Sequence, residues 1–325
     1  MGAYFVRRLL QSVIVILGVT LLSFVTLHLA GDPTYLYVSE RATEQEIIDT
    51  RIKLGFDRPL PEQYLRFLAG LATGDLGDSL RSRTPALDLV LERLPATLEL
   101  TIFAILLSTL LAIPIGILAA IHRGTAIDGG IMLSAMLGQS IPSFWLGLML
   151  ILFVGLQLRI LPISGHTPLI EPLFGGDLTT FAQNFPDAIY HLIMPGITIA
   201  TFSLSRNARL IRSSMLEVLS QDFVVTARAK GLAERIVILR HTFRNALIPI
   251  VTILGLEFGF LLSGVVVTET VFSWPGVGRL VFNAINQRDI PLVQASVVLF
   301  SFMFVGLNLL VDFLYAQLDP RVRLS

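Results

Sequence analysis

Three long stretches of this chain carry no charge at all. Leu9–Ala30, Leu100–Ile121 and Ile131–Leu158 contain no Asp, Glu, Lys or Arg. The two shorter runs are 22 residues each, and as α-helix 22 residues reach about 33 Å, enough for the hydrocarbon layer of a bilayer. Only 15% of the 325 residues are charged and 54% are apolar, whereas a soluble domain carries about 25% charged residues. The mean hydropathy is +0.74. Too few charges exist to cover a water-facing surface, which excludes a soluble enzyme, a nucleic-acid binder and a secreted scaffold. The chain reads as an integral membrane protein. With 24 basic and 24 acidic residues, net charge says nothing about partners. The absence of cysteine removes disulfides, thiolate metal sites and Cys nucleophiles.

Six apolar segments follow one another: Leu9–Ala30, Leu100–Ile121, Ile131–Leu158, Ala188–Ser205, Ala246–Thr268 and Pro291–Val311. Arg7 and Arg8 precede the first, as in a signal peptide, but its length exceeds the roughly 7–15 residues of a cleavable core, so it reads as a retained helix. The third carries Pro142 and is expected to tilt or kink. The fourth is the weakest, with His191 and Pro195 inside it. The fifth contains Glu257. A central acid costs a few kcal/mol, and fourteen Leu, Ile, Val and Phe return about 4–8 kcal/mol, so the segment inserts.

Orientation follows from the basic residues. With both termini inside, short inner segments hold thirteen: Arg7, Arg8, Arg123, eight between residues 206 and 245, Arg321 and Arg323. The short outer loops hold three, Arg159, Arg279 and Arg288. The 67-residue first loop, Gly31–Thr97, is too long to count under the positive-inside rule. Both termini are expected in the cytoplasm, around a single membrane domain covering residues 1–325.

The outer loop carries its own signals of structure. Thr43 with Glu46 predicts a capping box and Gly55 a helix stop. Pro61 suits a first helical position ahead of Glu62–Ala72 and Gly74. Two short helices are expected there, either as a packing lid or as a docking surface. On the inner side, Arg206, Arg209 and Arg212 form a helical stripe that reads as positive-inside anchors. Asp222 is then a good N-cap, and Phe223, Val224, Val225, Thr226, Ala227, Arg228, Ala229 and Lys230 follow before Gly231 at the αL stop position. A helix of about two turns, capped at both ends, is too short to stand alone in water. Small Ala227 and Ala229 beside Arg228 and Lys230 suit insertion into another protein's groove.

Thr226–Leu232 (TARAKGL) and Arg240–Pro249 (RHTFRNALIP) resemble the cytoplasmic "EAA" loop of ABC importer permeases, in its peptide-transporter form. Val225, Thr226 and Ala227 stand where the general pattern has Glu-Ala-Ala, so a role of that Glu does not carry onto Val225. Gly31–Pro33, Leu54–Pro59, Gly74–Ser79, Val266–Leu280 and Asn308–Arg321, in this order, are similar to the dipeptide/oligopeptide permease of the first ("B") type. The resemblance implies an all-α fold of six transmembrane helices, the ABC type I importer permease fold, in a bacterial inner membrane. It implies a second permease subunit, two ATPase subunits and an extracytoplasmic substrate-binding protein as partners, within membrane lipid and without nucleic acid. Asp222 to Gly231 would be the coupling helix resting in an ATPase groove. No cofactor is expected on this chain, because ATP and Mg would be bound by the ATPases; accordingly, no G-x-x-x-x-G-K-[ST] loop occurs.

On the fifth span, Gly255, Gly259 and Ser263 fall at four-residue spacing, a face on which another helix can pack. Glu257 lies on the opposite face and must meet protein or water, at an interface or along a translocation path. A secondary transporter or channel using Glu257 is the competing reading. A membrane hydrolase is disfavoured by the lack of HExxH or G-x-S-x-G. The five histidines, 28, 122, 166, 191 and 241, are scattered, and local hydrogen bonding is expected of them.

Overall fold

The computed structural model describes residues 2–29, 33–38, 41–247 and 264–318. Every regular element among these is helical. Among the described residues, four helices are long and apolar enough to cross a membrane: α1 (Gly2–Leu29), α4 (Ala86–Ile121), α8 (Leu178–Leu219) and α12 (Ile290–Leu318). A further apolar pair of helices passes the same test when taken together, but it is sharply bent. Helix α5 (Ala126–Ser140) and helix α6 (Ser143–Leu150), which runs on as π-helix through Gln157, meet at 98°. The kink expected at Pro142 is thus a break. Proline has no N–H and disfavours helical geometry at Ile141 before it, which is extended at φ −77°, ψ 122°. The expected fifth span, Ala246–Thr268, lies mostly outside the described residues, and with it Gly255, Glu257, Gly259 and Ser263.

The residues fall into two compact units. The first comprises residues 1–95 and 275–309. Its two short helices of the long first loop form where the local signals place them. Thr43 and Glu46 make both bonds of the capping box at 3.3 and 2.8 Å, and α2 (Glu44–Leu54) stops on Gly55 at φ +75°. Helix α3 (Leu60–Thr73) has Pro61 in its first turn and ends on Gly74 at φ +78°. Tyr64 and Phe67 of α3 pack on Phe24 of α1 with centroids 5.4 and 6.3 Å away, and the Tyr64 hydroxyl meets Thr20 at 3.0 Å. Buried Leu76, Ala86, Val90, Val277, Ala284 and Leu292 form this unit's core, to which α11 (Val277–Asn286) contributes. Buried Asp289 heads α12 and accepts a 2.5 Å hydrogen bond from Ser79 Oγ. Burial first, and then the Asp289 charge, push the Tyr37 phenol up to about 12.

The second unit comprises residues 96–274 and 310–325. Its main rod is α8, 42 residues with Pro186 and Pro195 inside. The fourth apolar segment is therefore only the middle of a longer helix, which carries the whole arginine stripe before ending at Leu219. Helices α4 and α8 approach closely at Gly116, where an added Cβ would lie 2.7 Å from Ile211 and 2.8 Å from the Ala208 carbonyl. Short helices α7 (Ile170–Phe174), α9 (Asp222–Ala229) and α10 (Glu234–Ile236) also belong to the unit, the last continuing as π-helix through Phe243.

Candidate functional site

Helix α9 starts one residue earlier than its sequence suggests. Gln221 takes the cap conformation (φ −82°, ψ 148°), and its carbonyl accepts from Val224 N–H at 3.0 Å. Asp222 is the first helical residue, where its charge meets the positive end of the helix dipole instead of making a side-chain cap. The stop is as expected. Gly231 adopts φ +74°. Leu232 N–H bonds the Ala227 carbonyl at 3.4 Å, and Gly231 N–H bonds that of Arg228 at 2.9 Å, the two bonds of a Schellman motif.

The two faces of α9 differ. Val224 and Ala227 are buried in a cluster with Ala208, Ile211, Met215 and Val218 of α8 and with Val237. One face of the helix is thereby held by its own chain, so Ala227 is not free to enter a groove elsewhere. The opposite face is bare: Val225 is 58% exposed and Phe223 39%, and Thr226, Ala229 and Lys230 are exposed as well. Beyond the stop, Arg228 reaches Glu234 at 2.7 and 3.2 Å. That hydrogen bond holds the Glu234 carboxyl below its usual range and raises the Arg228 guanidinium. The pair fixes the direction in which the chain leaves α9.

The arginine stripe next to α9 bonds to protein. Arg212 makes a bidentate pair with buried Asp128 at the start of α5, at 2.6 and 2.7 Å. Gly124 N–H donates to the same carboxylate at 3.0 Å. Arg209 donates to the Gln139 side-chain carbonyl. These contacts lock α5 to α8 just above the short helix, a role beyond the membrane anchoring expected of the stripe.

A second polar cluster sits at the other end of the unit. Glu99 of α4, its side chain 2% exposed, accepts from His166 Nε2 at 2.7 Å and from the backbone N–H groups of Leu169 and Ile170, each at 2.7 Å. The His166 ring stands edge-on to Trp274 at 4.7 Å, and Trp274 Nε1 donates to the Ala96 carbonyl at 2.8 Å. Fully buried Glu269 accepts from Thr97 Oγ1 at 2.7 Å. The cluster ties the loop at 159–177 to α4. Sequence reading missed it because His166 and Glu99 are far apart in the chain; the one available signal was an acid at the very edge of an apolar run. His122 and His191 instead bond local carbonyls, at 3.0 and 2.9 Å. No group of metal-binding side chains occurs among the described residues.

The family model described as "Binding-protein-dependent transport system inner membrane component" matches residues 112–324, and the N-terminal model of the same transport system matches residues 1–101. Among curated relatives, the dipeptide transport system permease protein DppB of Escherichia coli K12 is 41% identical over 333 residues, covering 98% of each chain. The di/tripeptide transport system permease protein DppB of Pseudomonas aeruginosa is 41% identical over 333 residues, covering 99% of each. The oligopeptide transport system permease protein AppB of Bacillus subtilis is 40% identical over 324 residues, again covering 99% of each. A multi-pass helical chain, matched nearly end to end in this way, belongs to the binding-protein-dependent transport system inner membrane component family: it is a permease subunit of an ABC importer.

Proposed function

We propose that this chain is one of two different permease subunits of an ATP-driven importer for peptide-like solutes. It has six spans and cytoplasmic termini and works with two ATPase subunits and an extracytoplasmic binding protein. ATP and Mg are held by the ATPases, and this chain carries no catalytic residue. The names of the relatives support the peptide class. The observation that carries the mechanical part is α9 itself: a short helix anchored by Val224 and Ala227, stopped by a Schellman glycine, with Phe223, Val225 and Ala229 turned outward.

The mechanism follows from that geometry. The outward face enters a groove on an ATPase subunit. Movement of that groove pushes α9, and the buried face passes the displacement to α8 through Ile211 and Met215. The Asp128–Arg212 pair carries it on to α5. Glu257, opposite the Gly255, Gly259 and Ser263 face, belongs to the same proposal as a group lining the path or its interface.

A crosslink tests the reading. Val225→Cys, in a chain without other cysteines, is expected to crosslink to an ATPase subunit in the assembled complex, whereas Val224→Cys on the buried face is not. Absence of the Val225 crosslink in a complex of normal stoichiometry would refute α9 as the coupling element.

A further inference from the structure

The break between α5 and α6 interrupts the helical hydrogen-bond ladder in an apolar part of the chain. Pro142 cannot donate, so the Gly138 carbonyl loses its helical partner, and extended Ile141 (ψ 122°) leaves the carbonyls of Gln139 and Ser140 at the open C-terminal end of α5. On the far side, the Ser143, Phe144 and Trp145 N–H groups form the open first turn of α6, which no side chain caps. Lipid does not tolerate irregular backbone; such segments persist at membrane depth only where they face protein or line a water-filled space.

A cavity of about 330 Å³ opens at this place, within the size range of small-ligand sites. Gln139, Ser140, Ser143, Thr198 and Thr201 supply its polar lining, beside Phe202 and other apolar groups. No charged residue is among its described lining. Thr198 and Thr201 use their hydroxyl protons on the carbonyls of Met194 and Ile197, so their oxygens are left as acceptors only.

The wall is also held in place. A Cβ on Gly138 would lie 2.3 Å from Ser205 Oγ, and one on Gly147 would lie 3.1 Å from Phe272, so both halves of the span sit tightly on their neighbours. Arg209 holds the Gln139 side chain through its amide oxygen. Preorganised and uncharged, with carbonyl acceptors on one rim and N–H donors on the other, the break matches the hydrogen-bonding pattern of an amide main chain. Its lack of charge leaves side chains of either sign undiscriminated.

We propose that the break at Ile141–Pro142 is a wall of the translocation path, where the main chain of a peptide in transit exchanges water for the exposed backbone groups of α5 and α6 and for Thr198 and Thr201. This rests on the importer reading above.

The test uses Ser143→Cys in the complete complex, reconstituted in liposomes with its ATPases and binding protein. Leu22→Cys, on the sparsely covered α1, is the lipid-facing control. A charged methanethiosulfonate is expected to label Ser143→Cys at least about tenfold faster than the control in either the nucleotide-free or the ATP-trapped state. Labelling should abolish uptake while binding-protein-stimulated ATP hydrolysis continues. Thr201→Val should lower uptake per ATP hydrolysed. If the complex imports peptide and its ATPase responds to loaded binding protein, yet Ser143→Cys labels no faster than the control in both states, the wall is overturned and the importer reading stands. If unmodified complex shows neither import nor stimulation, both fall.

Discussion

Gly231 offers a perturbation whose cost can be separated from packing. Its φ of +74° lies in the left-handed region, and an added Cβ would meet nothing within 4 Å. A substitution there is therefore conformational and not steric. An L side chain in this region costs about 1–2 kcal/mol, and a β-branched one more. That lowers the population of the native stop by roughly 5–30-fold. The two bonds closing the motif, from Gly231 and Leu232 N–H, are lost together with the stop. Asn tolerates the conformation better, so the expected order of coupling is Gly, then Asn, then Ala, then Val. The membrane-embedded part is untouched, and Val224 and Ala227 still anchor the first turns. The assay is binding-protein-stimulated ATP hydrolysis alongside uptake in a reconstituted complex of normal subunit stoichiometry. Gly231→Val should hydrolyse ATP poorly in response to loaded binding protein, or hydrolyse it without import. Wild-type coupling in Gly231→Val would refute the argument, and so would an Asn variant as impaired as the Val variant.

Asp128→Asn breaks the bidentate pair with Arg212 and should lower the thermal stability of the purified chain, with Arg212→Lys milder; an unchanged melting temperature in both would refute the lock between α5 and α8. Glu99→Ala leaves the Leu169 and Ile170 N–H groups without their acceptor, about 1–3 kcal/mol each, and should expose the loop at 159–177 to protease, whereas Glu99→Gln keeps an acceptor oxygen and should protect it better. Arg66→Cys, on the half-exposed Arg66 side chain of α3, should react with an impermeant thiol reagent from the extracytoplasmic side; labelling only from the cytoplasm would invert the topology. Thr43→Ala should destabilise α2 by about 0.5–2 kcal/mol, read as faster amide exchange in that helix with its neighbour α3 unaffected.

What the sequence declared in advance was local chemistry. Thr43 with Glu46, Gly55, Gly74 and Gly231 each act within a few residues, and each caps or stops a helix as its spacing demands. Pro142 announced a deformation of the third span, but a 98° break depends on what the two halves pack against, which a list of residues does not contain. Helix α8 outruns its apolar segment because hydropathy ends at Ser205, while the helical stripe of arginines beyond it continues the same helix. Their partners, Asp128 and Gln139, lie 84 and 70 residues away, and a charge stripe carries no sign of its distant acceptors. The Glu99–His166 tether was hidden for the same reason.

The length of α8 has a mechanical consequence. Forty-two residues make a rod of about 63 Å, near twice the hydrocarbon thickness. Within it, Pro186 and Pro195 are the points where the hydrogen-bond ladder is cut. From Gly196 to Leu219 nothing in the sequence interrupts the ladder, and these 24 residues span about 36 Å. A rotation of about 5° at Pro195 therefore swings Leu219 through about 3 Å, and α9 begins three residues later. Spin labels at Ile197 and Ser213 should keep one separation through the ATPase cycle, while a pair at Thr179 and Ser213 should not; a changing Ile197–Ser213 distance would break the argument. In the proposed importer the short helix rides on the end of a long lever with its fulcrum at Pro195, so a small tilt there and a several-ångström stroke of α9 are one motion measured at two radii.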